Sequence, residues 1–173
     1  MKKSLKSILV LVSICGVIAL LLALTNMVTA PLIEENQKIA TEQALKQVMP
    51  EGEGFEKIEP EVALPATVTE VYRETGGGYA IKLKTAGFDN DFVILCGVRA
   101  DGTVSGAVCL SSKETLGVEK DYGERFKNTD AAGAAKVDTV SDATKTTSAY
   151  RAAVQDAIEA AKILSEAEGG KTK

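Results

Sequence analysis

The sequence predicts an α+β protein: a single membrane-spanning helix at the N-terminus, then one domain with an antiparallel sheet and flanking helices. Three observations predict it. A segment without a charged residue runs from Ser7 to Ile33, directly behind Lys2, Lys3 and Lys6. The middle of the chain, from Thr67 to Leu110, alternates apolar and polar residues in short runs broken by glycine. A long final segment, Ser148 to Glu168, returns to helical spacing.

The N-terminal segment comes first in the chain. Its core, Ile8 to Leu24, reads ILVLVSICGVIALLLAL, and with its flanks it reaches the about 20 apolar residues that a spanning helix needs. A cleaved signal peptide is the competing reading, because Val28-Thr29-Ala30 resembles a small-residue cleavage site. The apolar run exceeds the ~7–15 residues of a signal core, and Pro31 would follow the scissile bond, so a retained anchor is the better account. The lysines place the N-terminus in the cytoplasm and everything after Pro31 outside it.

Glu34 to Met49 has helical spacing, with Ile39, Ala40, Ala44, Leu45, Val48 and Met49 on one side and Pro50 to stop it. Glu51 to Pro65 carries five glutamates, two glycines and two prolines, and reads as a solvated linker. Alternating runs at 67–72 and 79–84, an apolar run at 91–98 and a returning run at 103–110 then read as about four strands of a meander, the last two joined by an Asp101-Gly102 turn. Cys96 and Cys109 fall on neighbouring strands. A disulfide there is conceivable, but two small buried residues is the simpler reading. A Gly-, Asp- and Ala-rich loop spans Tyr122 to Lys136. In the last helix Tyr150, Val154, Ile158, Ala161 and Leu164 form the apolar stripe. The expected organisation is therefore residues 1–33 as cytoplasmic end and anchor, 34–65 as juxtamembrane helix and linker, and 66–173 as the folded domain.

Composition removes several chemistries. The 173 residues include no histidine, which excludes Ser-His-Asp and Cys-His catalysis and histidine-ligated metals. The three cysteines form no C-x-x-C pair, so structural zinc and iron–sulfur clusters are not expected. A net charge of −4 offers no basic stripe for nucleic acid.

The stretch Val140-Ser141-Asp142-Ala143-Thr144-Lys145-Thr146-Thr147 gathers more hydroxyls than a helix cap needs. It precedes a helix N-terminus, where unpaired N–H groups and the helix dipole favour an anion. Thr144 offers a hydroxyl for esterification, and the small Ala143 beside it leaves the approach open. Ser, Thr and Asp are also what caps and turns are made of, so physics alone leaves both readings open.

The run Asp138-Thr139-Val140-Ser141-Asp142-Ala143-Thr144 resembles the flavinylation motif of the FMN-binding domain family. There an aspartate is followed three and six residues later by Ser or Thr and by the flavin-accepting residue, with Ala just before it; Asp142 stands where that family usually has glycine. Upstream, Glu114-Thr115-Leu116-Gly117-Val118 resembles the family's E-T-P-G-L-G loop without its proline. The lysine-rich end, the span and the Ala44-to-Pro50 element extend the likeness along the chain, toward the G subunits of Rnf-type ion-translocating ferredoxin:NAD oxidoreductases and their relatives, the C subunits of sodium-pumping NADH:quinone reductases.

The resemblance implies an FMN joined through its phosphate to Thr144, placed there by a flavin transferase that uses FAD and magnesium. Thr144 is then a tether and not a catalyst. It also implies that Glu114, Thr115, Leu116 and Gly117 line the flavin, that Asp138, Ser141, Ala143 and Lys145 shape the tether, and that the partners are the other membrane subunits of an Rnf-type complex. The protein would be a single-pass electron carrier of the cell membrane. The alternative is a membrane-anchored scaffold or binding module without flavin, in which the hydroxyls are a cap and nothing more.

Overall fold

The computed structural model describes residues 2–88, 90–113 and 117–171. The chain divides into two compact units, residues 1–40 and 41–173, and each is taken by itself. The first is the greater part of helix α1, Lys2–Val48. Sequence reading expects a break between an anchor and a second helix; the observed helix is continuous and carries Pro31 inside it. Proline removes one backbone donor and usually bends or breaks a helix, but apolar spans tolerate it. Upstream of it, Thr25 Oγ1 and Thr29 Oγ1 donate to the Leu21 and Thr25 carbonyls, each at 2.9 Å. Ile8 and the large apolar side chains from Val10 to Ile39 lie exposed along the helix, and by length and composition it can cross a membrane.

The second unit is built on one antiparallel sheet. Strands β1 (Phe55–Ile58), β2 (Val68–Glu74), β3 (Tyr79–Thr85), β4 (Phe92–Val98) and β5 (Val104–Ser111) lie in chain order as a meander. Four strands are predicted and five are present among the described residues. β1 lies in the stretch read as linker, whose glutamates hide a short alternation, F-E-K-I, that pairs with Tyr72 and Val71 at its end. Edge strands carry this kind of charge because their outer rim faces water.

The period of two gives the sheet two different faces. One face, with Tyr79, Ile81, Leu83, Phe92, Ile94, Cys96, Val98, Val104 and Ala107, packs against helix α4, Thr144–Lys171. α4 answers with Tyr150, Ala153, Val154, Ala157, Ile158, Ala161 and Leu164, the helical stripe expected from sequence together with its intervening alanines. Between β5 and α4 the chain forms α2 (Glu119–Tyr122), a 3-10 turn (Gly123–Phe126) and α3 (Ala131–Ala135), where sequence reading gives only a loop.

The opposite face is covered by the last turns of α1. Ala44, Leu45, Val48 and Met49 pack on Ala80, Leu95 and Val108. Two glycines make this landing possible. Gly97 and Gly106 face each other across β4 and β5, and a Cβ on either would come within 3.0 Å of the Val48 carbonyl oxygen. The helix end therefore sits on bare backbone.

Cys96 and Cys109 are not joined by a disulfide. Cys96 faces Ala107 and Cys109 faces Ile94, so the two are offset by two residues along the ladder. Burial pushes the Cys96 thiol up to about 12, which leaves it inert at neutral pH.

Gly106→Val is expected to cost about 1–3 kcal/mol, the usual range for overpacking a filled interior, because its neighbour is backbone that has no other rotamer. Chemical denaturation of the domain measures this. An unchanged midpoint would show that the α1 landing contributes nothing.

Candidate functional site

The hydroxyl-rich stretch forms a turn that runs directly into α4. Sequence reading starts that helix at Ser148; it starts at Thr144. The difference has a local cause. The Ala143 N–H donates to the Val140 carbonyl at 3.1 Å, closing a four-residue turn over 140–143, and Asp142, at its third position, has φ 65°. Such turns require a positive φ there, which is why glycine or asparagine is usual. Aspartate tolerates the left-handed region better than most residues.

Thr147 locks the turn to the helix. Its hydroxyl accepts from the Val140 N–H at 3.2 Å and donates to the Ala143 carbonyl at 2.9 Å. The side chain is wholly buried. Two more groups hold the incoming strand of chain: Tyr122 Oη donates to the Asp138 carbonyl at 2.9 Å, and Arg151 Nη1 donates to the Val137 carbonyl at 3.1 Å. None of these three clamps belongs to the motif positions read from sequence. For Thr147 and Arg151 the signal that could have found them is their i+3 and i+7 spacing from Thr144 on one helix; Tyr122 has no such signal.

Held in this way, Thr144 is the first residue of α4 and is exposed. Its Oγ1 makes a long contact, 3.4 Å, to the Val140 carbonyl. Ser141 and Lys145 are exposed beside it, and Lys145 Nζ lies over the Phe88 ring, 5.9 Å from its centroid. Ala143 is buried, so its small size serves the packing beneath the turn as well as the access to Thr144. The first-turn N–H groups of a helix lack intrahelical partners, and the positive end of the dipole adds to Lys145. A phosphodiester on Thr144 fits this environment, since its single negative charge meets both.

The structure thus brings Ser141, Ala143, Thr144 and Lys145 together at one helix end. Asp138 is exposed at the start of the same segment. Glu114, Thr115 and Leu116 lie outside the described residues. Gly117 is described, with φ 67°. It is placed not in the Thr144 turn but on the segment leading into α2, which packs on β5 and α4. The ends of that loop are joined by Ser112 Oγ donating to Glu119 Oε1 at 2.6 Å. Glu119 is buried, and sequence reasoning missed it because it reads as one more solvent-facing glutamate.

Comparison with known proteins adds three findings. The FMN-binding domain matches residues 87–159, and the RnfG N-terminal region matches residues 1–48. The chain is also similar to the G subunit of the Na(+)-translocating ferredoxin:NAD(+) oxidoreductase complex of Acetobacterium woodii, with 35 % identity over 125 residues. That alignment covers 64 % of this chain and 60 % of the relative.

Asp142→Gly is expected to leave the thermal midpoint unchanged or raised, whereas Asp142→Val should lose about 1–2 kcal/mol to left-handed strain. Equal midpoints for the two variants would remove the strained turn from the account. Thr147→Val should cost about 1–3 kcal/mol, because the Val140 N–H then loses its acceptor, and Thr147→Ser should recover most of it. Urea denaturation of the three proteins decides this.

Proposed function

We propose that the chain, which matches the RnfG N-terminal region and the FMN-binding domain, is a membrane-anchored electron-transfer subunit with FMN held covalently through Thr144. The observation that carries the reading is the placing of the Thr144 hydroxyl. It is exposed at the first residue of a long helix, on a turn clamped by Thr147, Tyr122 and Arg151.

Each residue at that end has a part to play. Thr144 Oγ1 would give up its proton and accept the FMN phosphoryl group of FAD, the pyrophosphate bond breaking and AMP leaving. The first turn of α4 and Lys145 balance the negative charge of the diester. Ser141 and Asp142 shape the turn that a flavin transferase would recognise, and Ala143 lets the turn lie flat on the domain. Asp138 enters the same recognition surface. The Glu114 to Gly117 loop is assigned to the flavin through its family likeness. When bound, FMN supplies one-electron and two-electron chemistry that no side chain here offers.

The single apolar helix fits an anchor, with the lysine end in the cytoplasm and the domain outside. The name of the Acetobacterium relative points to an Rnf-type ion-translocating ferredoxin:NAD oxidoreductase. On that reading the partners are the other membrane subunits of the complex, and the flavin relays electrons between them. The ion path belongs to those partners, since the apolar core of α1, Ile8 to Leu24, offers no charged residue.

Intact mass of the full-length protein, isolated from its own host and mapped by peptides, tests the proposal. The expected result is the mass of one FMN less water on the Thr144 peptide, and none in Thr144→Ala. An unmodified mass from cells with an active flavin transferase would overturn it in favour of a colourless scaffold.

A further inference from the structure

We propose that Phe88 is the platform on which the isoalloxazine ring rests, a positioning residue outside the tethering motif. The inference rests on the reading of Thr144 as the tether. Its starting point is an exception to the packing. Among the described residues of 41–173, Phe88 is the one large apolar side chain left exposed, at 72 %. All the other exposed ones lie between Ile8 and Ile39 in α1, where lipid or partner helices account for them.

A lone exposed apolar residue is ordinary on a protein surface. This one is distinguished by where it stands. Lys145 Nζ lies 5.9 Å from the centroid of its ring, and Lys145 follows Thr144 directly. The aromatic face and the ammonium therefore share one surface patch, one residue along the chain from the tethering hydroxyl. The base of the loop that carries Phe88 is braced. Gly87 is buried, and Asp91, just before β4, forms ion pairs with Lys84 at 2.9 Å and Lys113 at 3.4 Å.

A flat heteroaromatic ring, tied by a flexible five-carbon chain to a phosphate, needs a surface that limits its orientations. Aromatic rings supply one by offset stacking at centroid separations of about 4.5–7 Å, and they do so without a hydrogen-bond pattern to match. Phe88 offers that face against the side chain of Lys145, the residue next to the tether. Phenylalanine also suits the task chemically: unlike tyrosine or tryptophan, it does not itself exchange an electron with a flavin, so it orients the ring without diverting the relay.

The test uses the full-length chain loaded with FMN by a flavin transferase, with loading checked by intact mass. Phe88→Trp places an indole, which quenches flavin emission on contact. Glu56→Trp places the same indole on the exposed side of edge strand β1. The expected result is a several-fold loss of flavin emission in Phe88→Trp and none in Glu56→Trp. Phe88→Leu should load fully and show altered visible circular dichroism of the flavin. Equal emission from the two tryptophan variants at equal loading would overturn the role of Phe88 while leaving the Thr144 tether intact. A wild-type chain that carries no FMN after exposure to the transferase would overturn both.

Discussion

The position of Tyr150 is the constraint on which the site depends. Its ring is fully buried, stacked on Phe126 at 5.8 Å and set edge-on to Phe92 at 5.7 Å and Tyr122 at 5.5 Å. Those three neighbours come from the 3-10 turn, β4 and α2, so a single ring fixes the start of α4 against three elements. Aromatic clusters of this geometry gain both area burial and edge-to-face attraction. Gly123 completes the fit, since any Cβ there would collide with the Ala107 carbonyl and crowd the Tyr150 hydroxyl. With the second turn of α4 immobilised, the first turn has one place to be.

The polar clamps then set detail at that place. Tyr122 contributes twice, with its ring in the aromatic cluster and its hydroxyl on the Asp138 carbonyl. Arg151, half-buried one residue beyond Tyr150, reaches the Val137 carbonyl. Hydrophobic packing and motif geometry are therefore joined through the same residues. A change in the core beneath the helix would be felt as a displaced turn, without any change to the motif itself.

Much of this was legible in the sequence, and the parts that were not have physical reasons. The meander, the closing helix and its stripe followed from periodicity, because the sheet faces and α4 are amphipathic in the ordinary way. β1 escaped because an edge strand needs only one buried flank, and its glutamates look like linker. The start of α4 escaped because Thr144 to Thr147 read as capping residues, whereas Thr147 caps from inside the helix by reaching back to Val140. Of the site, the spacing of Asp138, Ser141 and Thr144 was visible at once. Tyr122, Arg151 and Glu119 were not, since their roles exist only after the chain has folded back on itself. The tolerance of the motif for Asp142 was likewise invisible until its φ of 65° showed what the position demands.

The turn over 140–143 has a consequence for the order of events in making the protein. Its shape is not wholly local: Thr147 holds it from within α4, but Tyr122 on α2 reaches the Asp138 carbonyl only once the domain has folded around α4. On the proposed reading, a transferase that recognises this shape acts on a finished domain and passes over a nascent or unfolded one. Cofactor attachment would then serve as a checkpoint in assembly. Every loaded molecule would be a correctly folded one, and the yellow colour of a preparation would count its native fraction.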